Sequence, residues 1–241
     1  MQLYFIRHAQ SENNALWYRT GSNQGRNEDP ALTRVGWQQA EILAEYLART
    51  DFNLKPNNRD FQNVAGFELT HLYTSLMVRA IATGSLLAEA LHLPLVAWED
   101  LHEVGGIWRE QPESGMRVGQ PGRGRAFFES RYPDLILPGS LDHQGWWNRP
   151  YEEPLQRADR ARRFVRDLLD EHGGTEDRVA VVSHGGFYNE VMHALLDLPT
   201  RNGVSFTMNN TAITRVDFVG TRPEVVAYTN RVDHLPADLV T

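Results

Sequence analysis

Short apolar runs alternate with amphipathic stretches along most of the chain. Runs of β character fall at residues 3–6, 71–74, 94–98, 178–183, 212–218 and 224–229, and they predict six strands. Between them, apolar positions recur at helical spacing. Thr33 is placed to cap a helix reaching residue 49, with Ile42, Leu43, Tyr46 and Leu47 on one face. Ser75 is placed to cap the next, whose Met77, Ala80, Gly84, Leu87 and Leu91 share a face. A third helix spans about 155–171 with Ala158, Ala161, Val165 and Leu168 inward, and Gly173-Gly174 ends it. A fourth is expected after Gly185-Gly186.

Strands alternating with helices of this length imply an α/β fold. The expectation is a three-layer α/β/α sandwich around a mostly parallel sheet of about six strands. In such sheets ligands bind beyond the carboxyl ends of the strands. Two stretches break the alternation. Residues 51–69 are polar and turn-rich and read as a surface excursion. Residues 104–150 are rich in Gly and Arg, with a short helical candidate at 124–132, and read as a lid-like insertion in a single 1–241 domain.

Composition narrows the chemistry. The chain has no Cys, which removes thiolate nucleophiles and thiolate metal sites. Neither G-x-x-x-x-G-K-[ST] nor G-x-G-x-x-G occurs, so the usual nucleotide-cradling loops are missing. Lys55 is the lone lysine, so nearly every cation is a planar guanidinium. A net charge of −7 argues against a nucleic-acid partner, and no run of ~18 apolar residues is available to cross a membrane. The first strand-like run starts close to Met1, leaving no room for a signal peptide, so a cytoplasmic protein is expected.

Four strand ends converge on one kind of chemistry. The first run ends in Arg7-His8, and the run at 178–183 ends in Ser183-His184-Gly185-Gly186, where glycine backbone N–H groups at a helix start favour an anion. The third strand end delivers Arg79 one turn into its helix, and the fourth leads to Glu103, with Glu99, Asp100 and Glu110 as rivals. Guanidiniums match the oxygens of a phosphate, and phosphoryl transfer needs mainly positioning and charge stabilisation. A neutral imidazole can attack phosphorus and divide one displacement into two. A protonated carboxyl can then serve the leaving oxygen and afterwards take a proton from water. Built-in cations leave no demand for a metal or other cofactor.

These residues carry a family resemblance. Arg7-His8-Ala9-Gln10-Ser11 with Asn14 resembles the RHGE[TS]xxN signature of the histidine phosphatase superfamily, the phosphoglycerate-mutase-like proteins. The likeness continues through Asp29-Pro30-Ala31-Leu32-Thr33, Ser75 with Arg79 and Thr83, Leu101 with Glu103, Glu152 with Arg160, and Ser183-His184-Gly185-Gly186. By that resemblance His8 is the phosphorylated nucleophile, and Arg7, Arg79 and His184 hold the phosphoryl group with Asn14 assisting. Glu103 is then the proton donor.

The segment after Glu103 reads Val-Gly-Gly-Ile-Trp and departs from the Glu-Arg-x-x-Gly of glycolytic mutases. A metal-independent phosphomonoesterase acting on a small-molecule phosphate ester is therefore expected ahead of a phosphoglycerate mutase. A non-catalytic phosphate-binding module is the third reading. Glu152 and Arg160 are expected to be structural, and His71, His92, His102, His143 and His193 to be structural or solvated. The insertion's Trp108, Arg109, Arg123, Arg125, Trp146, Trp147 and Arg149 suit either a lid over an anionic substrate or a subdomain packing its own tryptophans. Glu68-x-x-His71, Glu89-x-x-His92 and Glu190-x-x-His193 share the i, i+3 spacing of dinuclear metal sites, but those sites need four facing helices. The sequence offers no reading of oligomeric state.

Overall fold

A computed structural model describes residues 1–50, 60–141, 143–199 and 203–241. Its centre is a seven-stranded sheet rather than one of about six. The strands are β1 (Gln2–Arg7), β2 (His71–Thr74), β3 (Leu95–Ala97), β6 (Leu135–Ile136), β7 (Arg178–Ser183), β8 (Ile213–Val219) and β9 (Arg222–Arg231). They lie in the order β6-β3-β2-β7-β1-β8-β9. The first five of that order are parallel, and β8 and β9 complete the sheet antiparallel. The seventh strand is β6, two residues from the 104–150 stretch, too short to leave a periodic signal.

Alternation along the strands builds the layers. Leu3 and Phe5 of β1, with Val179 and Val181 of β7, face α5 (Pro154–His172) and α6 (Gly185–Leu195) in one apolar cluster. Tyr4 and Ile6, with Ala180 and Val182, face α2 (Arg34–Ala48) and α3 (Val78–Leu91) in the other. Residues buried on both faces read as continuous apolar runs, as parallel strands must. The architecture is the expected α/β/α sandwich.

Local signals fix most helix ends. Thr33 caps α2 by accepting from Gly36 N at 3.0 Å. Glu153 and Gln156 form a capping box on α5, with Pro154 in the first turn, and Gly173 follows the helix. Three boundaries differ from expectation. Met77, not Ser75, is the cap residue of α3, and Ser75 instead accepts from Met77 N at 3.2 Å. α6 starts at Gly185, one residue after His184. Helix α1 (Glu12–Thr20) was not expected, because it buries none of its residues and so carries no apolar stripe.

The two irregular stretches are more embedded than their polarity suggests. Residues 51–59 lie outside the described residues, but 60–69 are no surface excursion, since Phe67, Leu69 and Asn63 are buried. Asn63 donates to the Tyr4 hydroxyl at 2.8 Å. The described part of the 104–150 stretch folds as β4 (Trp108–Glu110) paired with β5 (Arg117–Gly119), then α4 (Arg125–Arg131) and β6. Trp146 and Trp147 are buried and pack on each other and on His102, which favours the self-packing account for this pair. Trp108 behaves differently: it lies under the Arg26 guanidinium at 3.8 Å, and Arg109 pairs with Glu28. This stretch therefore reaches across to the loop before α2. No described helix is long and apolar enough to cross a membrane.

Candidate active site

Strand register assembles the site. Arg7 of β1 is opposite Ser183 of β7, and Thr74 of β2 is opposite Val182. The residues just past those ends, His8, His184 and Ser75, consequently meet at the carboxyl edge of the sheet. The His8 and His184 rings are 5.0 Å apart, and both side chains are buried.

His8 is held in one tautomer. Its Nδ1 lies 2.7 Å from the Ala9 carbonyl, which can only accept, so Nδ1 carries the hydrogen. Nε2 then presents its lone pair, and Arg79 Nε donates to it at 3.0 Å. Burial, with the charges of Arg79 and Arg7, holds the His8 pKa well below the ordinary histidine value, so the ring is neutral. The loop beyond is fastened from several sides. Ala9 N donates to Thr83 Oγ1, Gln10 N to Gln39 Oε1, and Asn210 Nδ2 to the His8 carbonyl at 2.8 Å. Gly36 is required here, because a Cβ on it would stand 2.1 Å from the Gln10 carbonyl oxygen.

The other expected residues surround this ring. His184 Nε2 is 2.9 Å from Ser75 Oγ, while its Nδ1 is buried with no protein partner. Burial, then Arg79 and His8, keep His184 neutral as well. Arg7 donates from one terminal nitrogen to the Met208 carbonyl at 2.5 Å, and its Nε is buried without a partner. A buried polar group left unpaired costs roughly 1–3 kcal/mol, so the Arg7 Nε donor, with His184 Nδ1 beside it, marks a place built to receive a polar ligand. Burial lowers the pKa of both Arg7 and Arg79. Asp29, 3.8 Å from Arg79, is the nearby counter-charge, and burial pushes its carboxyl up to about 6.

Glu103 sits on the start of α6. Its Oε1 accepts from Val104 N at 2.8 Å and Phe187 N at 3.0 Å, and its Oε2 from Gly186 N at 3.3 Å. Its loop is clamped by the buried Glu152–Arg160 pair, joined at 2.6 and 2.8 Å. Arg160 also donates to the carbonyls of Asp100 and His102 at 2.5 and 2.9 Å, a structural use that matches the expectation for both residues. Among the rivals of Glu103, Asp100 is taken by Arg163 and Glu99 by Ser140.

Two expected residues are placed less directly. Asn14 Oδ1 accepts from Ser11 N, Ser11 Oγ and Asn210 Nδ2 at 3.0, 2.9 and 3.2 Å, which makes Asn14 part of the α1 capping box. Gly185 lies beside the Arg7 guanidinium, 3.6 Å from where its Cβ would be. Four contributors are not among the expected site residues: Asp29 and Ser75, which lie in the family-like stretches without an assigned role, Asn210, and Arg26, whose pKa falls to about 10 through burial and the nearby Arg79 and Arg117. Each acts through partners distant in sequence, and periodicity cannot report that.

Comparison with known proteins gives the family and the fold. The sequence fits the family description of the histidine phosphatase superfamily (branch 1) over residues 3–55 and 58–231. The chain belongs to that superfamily. Among solved structures it is similar to phosphoserine phosphatase from Entamoeba histolytica in complex with 3-phosphoglyceric acid, at 19% identity and a TM-score of 0.60, covering 98% of this chain and 99% of that one. Mycobacterial glucosyl-3-phosphoglycerate phosphatase is similar at 20% identity and a TM-score of 0.54, covering 89% of each chain. Bacillus stearothermophilus YhfR is similar at 20% identity and a TM-score of 0.58, covering 97% of this chain and 98% of that one. A search among proteins of curated function gives no match. Membership of the superfamily indicates a phosphatase or mutase.

Proposed function

We propose that this protein is a metal-independent phosphomonoesterase that works through a phosphohistidine at His8 on a small phosphorylated metabolite. The observation that carries the reading is the His8 ring itself: neutral, fixed with hydrogen on Nδ1, and offering the Nε2 lone pair to the Arg79 guanidinium. When a phosphate monoester arrives, its oxygens compete for the Arg79 N–H. That shift frees the lone pair and moves the positive charge onto the group being transferred. Arg7 Nε and His184 Nδ1, both buried without partners, supply further contacts.

Nε2 then attacks phosphorus as the bond to the leaving oxygen breaks. The electron pair departs on that oxygen, which takes a proton from Glu103. In the second half, water gives its proton to the Glu103 carboxylate and its oxygen attacks phosphorus. The P–N bond breaks, the pair returns to Nε2, and inorganic phosphate leaves. Charge stabilisation by buried guanidiniums is the main contribution, and proton transfer adds roughly 10²–10⁴-fold.

The departure from the mutase pattern after Glu103, together with phosphatases among the structural neighbours, supports hydrolysis. The test is to mix the protein with an aryl phosphate in excess chelator, quench with base, and weigh the protein by mass spectrometry. One phosphoryl group on His8, with steady release of phosphate and neither seen in His8→Ala, is expected. Turnover that survives in His8→Ala would sink the assignment.

A further inference from the structure

We propose a transition-metal site at the end of the sheet opposite the crevice, formed by His71, His172 and Asp177. His71 opens β2, Asp177 immediately precedes β7, and His172 closes α5. Parallel strands bring these positions together at their amino ends, while His8 and His184 lie at the carboxyl ends. One nitrogen or oxygen from each of the three residues lies within 4.8 Å of the others. His172 Nδ1 is 2.9 Å from Asp177 Oδ2, His71 Nδ1 is 4.0 Å from Asp177 Oδ1, and the two imidazole rings are 4.6 Å apart. Ligand atoms around tetrahedral zinc stand roughly 3.3–3.5 Å apart, given bonds of about 2.0–2.2 Å. Small side-chain rotations reach that spacing; His71 is 41% exposed, and its Nδ1 would exchange the contact with Thr70 Oγ1 at 2.9 Å for the ion.

The surroundings of His172 point to a cation. Its Nε2 is 3.0 Å from the Tyr73 hydroxyl, whose other partner is Glu171 Oε1 at 3.0 Å. Carboxylates only accept, so the run Asp177–His172–Tyr73–Glu171 has three links between two acceptor ends. A neutral imidazole and a phenol supply two hydrogens between them. With Tyr73 donating to Glu171 and Nε2–H donating to Tyr73, the Nδ1 lone pair faces the Asp177 carboxylate. A positive centre completes that contact. Metal-binding histidines usually donate their other ring N–H to an oxygen that fixes the tautomer, and Tyr73 backed by Glu171 does this here.

The neighbouring cation is engaged elsewhere, since Arg178 pairs with Glu68 and donates to the Phe67 carbonyl. Glu68 is thereby held by Arg178, and of the i, i+3 pair only the histidine belongs to the cluster. Partial exposure of His71 and Asp177 leaves a fourth position open to water. Two imidazoles and a carboxylate suit Zn²⁺, and Ni²⁺ and Cu²⁺ compete for such a set. A bound ion would fasten the last turn of α5 to β2 and β7, remote from phosphoryl transfer.

The probe is Zn²⁺ added to chelator-stripped full-length protein, followed by calorimetry and by thermal unfolding. One equivalent should bind, and at a free concentration one hundred times Kd the Tm should rise by roughly 5–10 °C. His71→Ala, a change at an exposed side chain, should weaken uptake at least tenfold and remove the Tm rise while leaving aryl phosphate hydrolysis intact. His71→Cys should restore binding, and His8→Ala should bind like the wild type. No stoichiometric uptake would mean that a proton alone fills the gap, and the site would be refuted. Uptake that survives His71→Ala, or that depends on His8, would refute it equally.

Discussion

Gly186 carries no functional group, yet the structure makes it a sensitive control point. A Cβ built on it stands 2.5 Å from Glu103 Oε1 and 2.6 Å from Val104 Cγ2. Ordinary contact begins near 3.4 Å, so Gly186→Ala must move the carboxylate oxygen by about 0.9 Å. The oxygen is the far end of a rotatable side chain, so it yields more readily than the helix. Alanine also favours a helix over glycine by ~1 kcal/mol, so the Tm should not fall. The effect should appear in catalysis, where a misplacement of ~1 Å costs on the order of 10²-fold.

The assay compares kcat/KM for an alkyl phosphate with that for p-nitrophenyl phosphate. This parameter reports the steps up to phosphoryl transfer, the point at which Glu103 protonates a poor leaving group. The alkyl substrate should lose about a hundredfold, in keeping with the cost of misplacing one group. The nitrophenyl substrate, whose leaving group departs without a proton, should stay within a few-fold. Glu103→Gln should show the same split. Equal losses on both substrates, or none on either, would refute the proton-donor role.

Further outcomes follow from the buried charges. Asp29 has a folded pKa of about 6 against an ordinary value of 3.8, so its contribution to stability is present below pH ~4 and lost as pH rises through 6. Urea unfolding of wild type and Asp29→Asn across that window should show their stability difference falling by about 3 kcal/mol. His8, His184 and His102 are buried and neutral with depressed pKa values. Their contribution is present above the unfolded value of 6.5 and is lost as pH falls below it. Each should cost ~1.4 kcal/mol per pH unit, and His102→Asn should flatten the acid slope by about one such increment. Arg160→Met strands the buried Glu152 carboxylate and should destabilise by about 3–5 kcal/mol in chemical denaturation, with partial recovery in the Arg160→Met/Glu152→Gln double variant.

Some features were local enough to be read from the chain alone. The apolar runs of β1, β2, β3 and β7 are continuous because those strands are covered on both faces, so the sandwich and its strand ends were legible. Arg7-His8 and Ser183-His184 follow such runs directly, and the rule that ligands gather at carboxyl ends puts them at one edge of the sheet. What remained hidden depends on contacts between distant residues. The tautomer of His8 is fixed by a carbonyl and by a guanidinium 71 residues away, and the seat of Glu103 is made by backbone N–H groups of α6. Helix α1 left no stripe because it packs no core, and β6 is too short for any period. The cluster at His71, His172 and Asp177 joins a strand start, a helix end and a loop. Hydrophobic periodicity records which face of an element is buried, whereas hydrogen-bond partners across the sheet exist only once the strands are in register.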